Sequence, residues 1–182
     1  MPSLINVPNF FTLLRLLLVP LVIQAILGGR HFLALALFAA AAWTDVLDGA
    51  AARHLGSSTQ AGAYFDPIAD KCLLSGVYLA LAAAHIMPWW FVIMVFARDL
   101  CILLAVTLAL LFTPIRKFPP SFWGKASTFL QIATAVVWMT QNLLDFPPLG
   151  VLASQMLWLC AAATVWSGVH YAWRGIRLTR AH

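Results

Sequence analysis

The chain has 182 residues, of which 63% are hydrophobic and 9% are charged, and its net charge is +5. Soluble domains are about 45–50% apolar and about 25% charged, and a soluble fold of this length lacks the interior to bury so much apolar surface. The composition therefore excludes an ordinary soluble domain and predicts an integral membrane protein. The basic residues lie at the ends of apolar segments, which indicates topology signals and contact with anionic headgroups, and not nucleic-acid binding.

Six windows are long and apolar enough to be membrane-spanning helices, since a span needs about 20 mostly apolar residues. The windows cover residues 9–28, 32–54, 66–86, 88–112, 125–144 and 148–172. Glycine, serine and proline clusters supply the breaks at Gly28-Gly29, Gly56-Ser57-Ser58, Met87-Pro88, Pro119-Pro120 and Pro147-Pro148. We expect an all-α bundle of six transmembrane helices that forms a single domain over residues 1–182.

The basic residues also predict an orientation. Six spans place both termini on one side, and cytoplasmic loops of membrane proteins carry an excess of Lys and Arg. With a cytoplasmic N-terminus, the outer side keeps Arg30 and the acidic Asp145. The inner side then collects Arg53, Arg116, Lys117, Lys125, Arg174, Arg177 and Arg180. We therefore expect a multi-pass protein of a bacterial cytoplasmic membrane with both termini in the cytoplasm.

The first helix has a polar stripe in the segment NVPNFFTLLRLLLVP. Asn6, Asn9, Thr12 and Arg15 recur every three residues. The two asparagines are also suited to cap the helix. Arg15 lies inside the apolar run, where a buried arginine needs a partner.

Four of the six acidic residues lie in one window, DVLDGAAARHLGSSTQAGAYFDPIAD, and the chain has no glutamate. Asp45 and Asp48 are spaced i, i+3, and Asp66 and Asp70 are spaced i, i+4, so each pair lies on one helix face. A single pair of this kind is often a cap or the partner of a neighbouring arginine. Four carboxylates on two adjacent helices favour one shared cavity that faces the cytosol.

The cost of these carboxylates indicates what they bind. Each aspartate near the bilayer centre costs about 2.5–3.5 kcal/mol on insertion scales, and mutual repulsion adds to this cost. Arg53 and Lys71 can balance two of the four charges. Divalent cations that prefer oxygen ligands, Mg²⁺ or Mn²⁺, are suited to balance the remainder.

The same window resembles the signature of the CDP-alcohol phosphatidyltransferases, D-x2-D-G-x2-A-R-x8-G-x3-D-x3-D. Every fixed residue and every interval of the signature is present here. The matching residues are Asp45, Asp48, Gly49, Ala52, Arg53, Gly62, Asp66 and Asp70. The predicted six-span plan agrees with the fold of that family, so the resemblance covers essentially the whole chain.

The resemblance implies a reaction and a role for each residue of the signature. Two divalent metal ions held by the four aspartates would bind the pyrophosphate of CDP-diacylglycerol, and the products would be CMP and a new phosphodiester lipid. Asp70 looks like the general base that takes the proton of the acceptor alcohol. Arg53 would contact phosphate, while Gly49, Ala52 and Gly62 would leave room for the cytidine. The family is usually dimeric, which implies a homodimer.

Two further segments resemble the members of the family that make anionic glycerophospholipids. The polar stripe of the first helix, with Asn9, Thr12 and Arg15, is similar to theirs. The segment FPPSFWGKASTFLQ is similar to their G-K-x-x-T-x-x-Q pattern, which corresponds to Lys125, Thr128 and Gln131.

Arg98 and Asp99 lie inside the fourth window, and two interpretations stay open for them. They can form an internal ion pair that orders the helices. Alternatively, Arg98 binds the acceptor phosphate and forms an anion clamp with Lys125 beside the metal site, with Thr128 also contacting the acceptor.

Two alcohols remain as candidate acceptors. Glycerol 3-phosphate is slightly favoured, because it is the common acceptor of bacterial members with this first helix. Phosphatidylglycerophosphate synthases generally carry a second arginine a few residues after the first in the fourth helix, and RDLCILLAVTLALLF has none. This departure favours the alternative, a CMP-forming cardiolipin synthase that uses phosphatidylglycerol.

A different class of protein also uses intramembrane carboxylates. A cation channel or transporter can line its path with them, and transporters often place such groups in corresponding positions of two halves. Here the acids cluster at one end of two adjacent helices, and Asp99 and Asp145 alone lie elsewhere. This distribution favours a one-sided reaction site.

Overall fold

A computed structural model describes the backbone of residues 7–55, 60–112 and 122–180, and the side chains of residues 13–44, 71–104, 107, 123–170 and 173. All the regular structure within these ranges is α-helical, which confirms the all-α prediction. The six helices are α1 (Val7–Leu27), α2 (His31–Leu55), α3 (Gln60–Ala83), α4 (Trp89–Phe112), α5 (Phe122–Leu144) and α6 (Pro147–Arg180).

The helices follow the predicted windows to within about one turn, except at two ends. Helix α3 begins at Gln60 instead of residue 66, and α6 continues to Arg180 instead of residue 172. The break predicted at Pro147-Pro148 lies two residues earlier, at Asp145 and Phe146, and both prolines belong to the first turn of α6. The first turn of a helix tolerates proline, since its amide has no partner within the helix. The breaks predicted at Gly56-Ser57-Ser58 and Pro119-Pro120 lie outside the described residues.

The chain divides into two compact units, residues 1–86 and residues 87–182. In the first unit, α1 packs against both α2 and α3. Helix α3 lies close to α1 at Gly76, where an added Cβ would lie 3.0 Å from Cδ1 of Ile23 and 3.3 Å from Cγ1 of Val19. A small residue at this position lets the two helices pack closely, as is common between helices in a bilayer.

In the second unit, α6 packs against both α5 and α4. Helices α5 and α6 form an antiparallel hairpin. Near the turn, the indole Nε1 of Trp138 donates to the carbonyl oxygen of Ala153 at 3.0 Å. Further from the turn, the hydroxyl oxygens of Ser127 and Thr164 lie 3.5 Å apart. A polar face of α5 is therefore turned towards α6 along much of the hairpin.

Helix α4 runs parallel to α6, because the contacts between them advance in the same direction along both. Near the start of α4, the rings of Trp90 and Trp158 have centroids 5.2 Å apart. Further along both helices, Arg98 bonds to Ser167. Within this unit α4 and α6 therefore run in one direction and α5 in the other, as alternating spans require.

Three short turns end helices with a residue in the left-handed region. Gly29 follows α1 with a φ of 68°, His85 follows α3 with a φ of 58°, and Asp145 follows α5 with a φ of 45°. After α3 the amide of His85 donates to Ala82 and that of Ile86 donates to Leu81. This bond pattern is the Schellman motif, which satisfies the last carbonyl groups of a helix.

The surface of the described residues is unusually apolar. Exposed side chains include Phe32, Trp43, Ile93, Leu103 and Phe129. Helix α1 has 21 residues and α6 has 34, so at about 1.5 Å per residue even the shortest of the six helices reaches about 30 Å, the thickness of a bilayer core.

A helix that crosses a membrane must be apolar as well as long. Within the described residues, one segment, Pro147–His170, is both long and apolar enough to cross a membrane. Three shorter apolar stretches are Leu13–Leu27, His31–Thr44 and Lys71–Ala83.

Candidate active site

The four aspartates lie on helical backbone, as predicted. Asp45 and Asp48 belong to α2, and Asp66 and Asp70 belong to α3. Because both segments are helical, the spacings of three and four residues place each pair on one helix face. Helices α2 and α3 both pack against α1, so the first unit contains all four residues.

The side chains from residue 45 to residue 70 lie outside the described residues. Gly49, Ala52 and Arg53 belong to α2, and Gly62 belongs to α3. The roles predicted for these four residues and for the four aspartates remain predictions.

Among the described side chains, no group of three or more His, Cys, Asp or Glu could hold a metal ion. The four aspartates are not among those side chains, so the fit of a metal rests on the donor set and its backbone. Four carboxylates, carried as two pairs on helices that share one packing partner, match the oxygen ligands that Mg²⁺ and Mn²⁺ prefer.

Arg15 on α1 has the buried position that the sequence predicts. Its side chain is among the largest fully buried ones described, and the residue is 1% exposed. Asn9 and Thr12 precede it on the same helix, but their side chains lie outside the described residues, as does all of Asn6. A buried guanidinium needs a partner for its charge, and the accessory role predicted for Arg15 stays a prediction.

Arg98 lies in α4, and its guanidinium donates two hydrogen bonds. Its Nη1 donates to Oδ1 of Asp99 at 2.7 Å, and its Nη2 donates to Oγ of Ser167 on α6 at 2.6 Å. The side chains of Arg98 and Asp99 are 8% and 22% exposed. The internal ion pair considered as one interpretation is therefore present. It does not exclude acceptor binding, since a guanidinium has five N–H donors.

The predicted stripe on α5 extends from the surface into the interior of the second unit, in the order Lys125, Thr128 and Gln131. Lys125 is exposed and Thr128 is half-buried, with the Thr128 hydroxyl donating to the carbonyl of Gly124 at 3.2 Å. Gln131 is fully buried. The three residues therefore occupy different environments, and the predicted clamp of Arg98 with Lys125 stays a prediction.

Further buried polar residues on α5 and α6 were not predicted from the sequence. Ser127 and Thr134 on α5 and Thr164 and Ser167 on α6 are fully buried together with Gln131. The spacing of Ser127, Gln131 and Thr134, four and then three residues, is helical and could have been recognised.

The sequence profile of the CDP-alcohol phosphatidyltransferases matches residues 5–166. The chain belongs to this family. The match extends from α1 into α6 and includes all eight residues of the signature. Members of the family are enzymes, so family membership favours the transferase over the channel or transporter.

Relatives within the family are named for different reactions. A probable phosphatidylglycerophosphate synthase of Mycobacterium tuberculosis is 37% identical over 94% of this chain and 82% of its own length. The CMP-forming cardiolipin synthase of Rattus norvegicus is 29% identical over 96% of this chain and 64% of its own length. A CDP-diacylglycerol–glycerol-3-phosphate 3-phosphatidyltransferase of Haemophilus influenzae is 28% identical, covering 91% of each chain.

Proposed function

We propose that the protein transfers a phosphatidyl group from CDP-diacylglycerol to glycerol 3-phosphate and releases CMP. The observation that carries this proposal is the complete eight-residue signature on α2 and α3, in a chain that is 37% identical to a probable phosphatidylglycerophosphate synthase. The product is an anionic glycerophospholipid.

The enzyme works as a multi-pass protein of the cytoplasmic membrane, with its active site and both termini on the cytosolic side. Three observations support this arrangement: the helix lengths, the apolar side chains exposed on both units, and the excess of Lys and Arg in the predicted inner loops. The usual state of the family supports a homodimer, which cross-linking in native membranes can test.

The carboxylates of Asp45, Asp48, Asp66 and Asp70 would hold two divalent metal ions, Mg²⁺ or Mn²⁺. When bound, such ions neutralise the pyrophosphate oxygens and polarise the phosphoryl group under attack. Four carboxylates without cations would repel one another in a low-dielectric site, which supports this role.

The other residues of the signature bind the donor. Arg53 follows Gly49 by four residues and Ala52 by one, and it contacts phosphate with its charged N–H donors. Gly49, Ala52 and Gly62 have little or no side chain, so they leave space for the cytidine.

Asp70 also acts as the general base. The acceptor hydroxyl loses its proton to the Asp70 carboxylate while its oxygen attacks the phosphorus that carries the diacylglycerol. The bond from that phosphorus to CMP breaks, and CMP leaves with the electron pair. The charge balances, because the departing CMP gains one negative charge and the Asp70 carboxylate loses one when it takes the proton.

Arg98, Lys125 and Thr128 bind the acceptor, with Asn9, Thr12, Arg15 and Gln131 as accessory residues. The burial of Arg98 supports this assignment, because a guanidinium that is shielded from water binds phosphate more strongly than an exposed one. The exposed ammonium of Lys125 contributes a second positive charge.

The second candidate acceptor is phosphatidylglycerol, which would make the protein a CMP-forming cardiolipin synthase. A specific observation favours it: the charge of Arg98 is already matched by Asp99 at 2.7 Å, and α4 has no second arginine. A helix with no net side-chain charge is better suited to a phosphodiester, which carries one negative charge, than to a phosphomonoester, which carries nearly two at neutral pH.

The test is CMP release by the purified protein in detergent with CDP-diacylglycerol and Mg²⁺. Glycerol 3-phosphate and phosphatidylglycerol are supplied in parallel, and Asp70→Asn is the control. Release that depends on glycerol 3-phosphate supports the proposal, whereas release that depends on phosphatidylglycerol replaces it with the second candidate. Full activity of Asp70→Asn would remove the general-base assignment.

A further inference from the structure

Ser167 on α6 is a fully buried serine whose hydroxyl oxygen accepts a 2.6 Å hydrogen bond from Nη2 of Arg98 on α4. The two residues are 69 positions apart in the chain, so the bond joins two helices. A hydrogen bond to a charged group is worth about 1.5–3 kcal/mol, more than one between neutral groups. The bond therefore restrains the Arg98 head group against α6.

Arg98 still has hydrogen-bonding capacity after this bond. Its Nε is buried and has no hydrogen-bond partner among the described residues. A buried N–H donor that lacks an acceptor costs about 1–3 kcal/mol, so such a group is uncommon unless something else binds it. Phosphate oxygens are suited to this donor, because guanidinium and phosphate form charge-assisted hydrogen bonds.

One bond alone does not fix the plane of a guanidinium. Asp99 accepts from Nη1, and Ser167 accepts from Nη2, so two of the three nitrogens are held by different helix positions. The stem of Arg98 also lies close to α6, since a Cβ added at Gly168 would be 3.7 Å from Cγ of Arg98. The remaining freedom of the head group is therefore small.

We infer that Ser167 is a positioning residue for acceptor binding. It holds the guanidinium of Arg98 so that the Nε–H faces the phosphate of the acceptor alcohol. An arginine that is fixed in advance loses less conformational freedom when its ligand binds, and this lowers the cost of binding. The inference rests on the proposed role of Arg98 and deepens it, because it names the residue on α6 that makes this role effective.

Ser167→Ala tests the inference, with Ser154→Ala as a matched control on the same helix. The hydroxyl of Ser154 is exposed and donates to the carbonyl of Gly150 in its own helix at 2.9 Å. We expect Ser167→Ala to raise the acceptor KM about five- to tenfold. The KM for CDP-diacylglycerol and the kcat stay within about twofold, because Ser167 acts only on the acceptor side. Ser154→Ala leaves all three parameters unchanged.

A double-mutant cycle separates a positioning role from a general structural one. In the Arg98→Gln background, Ser167→Ala should have no further effect on the acceptor KM, because the group that it positions is gone. The rise in melting temperature that the acceptor causes gives a second readout without turnover. It should be smaller in Ser167→Ala than in Ser154→Ala at the same acceptor concentration.

Three results would overturn the inference in distinguishable ways. An unchanged acceptor KM in Arg98→Gln removes the proposed role of Arg98 and the inference with it. A raised KM in Arg98→Gln with an unchanged KM in Ser167→Ala removes the inference alone. Equal effects of Ser167→Ala in the two backgrounds show that Ser167 does not act through Arg98.

Discussion

Gly76 on α3 lies so close to α1 that a Cβ at this position would be 3.0 Å from Cδ1 of Ile23. This distance is shorter than ordinary van der Waals contact between carbon atoms, about 3.5–4.0 Å. The approach brings α3, which carries Asp66 and Asp70, against the helix that carries Arg15. The packing of α1 and α3 therefore supports the proposed active site as well as the stability of the first unit.

Gly76→Leu should destabilise the protein by about 1–3 kcal/mol, because a large side chain overfills this contact. The matched control is Gly150→Leu, since a Cβ at Gly150 would meet only Nε2 of Gln141, at 3.8 Å. The measurement is the thermal melting temperature in detergent. A Gly76→Leu protein that melts no lower than Gly150→Leu would contradict the close packing of α1 and α3.

His85 follows α3 with a φ of 58°, a conformation that costs a residue with a side chain about 1–2 kcal/mol. We expect His85→Gly to increase the free energy of unfolding by about 0.5–1 kcal/mol, since the larger entropy of glycine in the unfolded chain offsets part of the gain. Chemical denaturation in mixed micelles can measure the difference.

Gly29→Ala provides the opposite substitution in the same kind of turn. The φ of Gly29 is 68°, and a Cβ there would have no atom within 4 Å. The expected loss of about 1 kcal/mol therefore comes from the backbone alone. If both substitutions shifted stability in one direction, the left-handed turns would not explain the effects.

Asp66→Asn should lower CMP release about 100-fold or more and raise the Mg²⁺ concentration that the enzyme requires. The amide removes one negative ligand from the proposed metal site. Asp145→Asn is the control, because Asp145 is exposed in the turn between α5 and α6 and asparagine accepts its φ of 45°. Activity is measured as a function of Mg²⁺ concentration. An Asp66→Asn enzyme with the Mg²⁺ dependence of Asp145→Asn would exclude Asp66 as a ligand.

Asp99→Asn should lower the acceptor KM about two- to threefold, because it removes the negative charge beside Arg98 and keeps an oxygen that can accept from Nη1. The effect should weaken with added salt, as expected for an electrostatic cause. Steady-state kinetics at two ionic strengths, with Asp145→Asn as the charge-matched control, test this prediction. An increased KM would show that Asp99 orients Arg98 instead of neutralising it.

The amino-acid sequence by itself determined the helices and the family. Long apolar windows interrupted by glycine and proline predicted six helices, because helix formation in such windows depends on residues near one another in the chain. The spacing from Asp45 to Asp70 identified the signature for the same reason: every interval in it is a local property of the sequence. Even the helical faces of the two aspartate pairs follow from spacings of three and four residues.

The tertiary structure alone decided which polar side chains of the second unit meet. The sequence favoured Lys125 and Thr128 on α5, whereas the buried polar face of that helix includes Ser127 and Thr134. In a chain whose outward faces are also apolar, hydrophobic periodicity does not show which side of a helix faces its neighbours. The partnership of Arg98 with Ser167 depends on how α4 and α6 are rotated against each other. That rotation is set by packing between residues that are distant in the chain, so a local sequence pattern does not predict it.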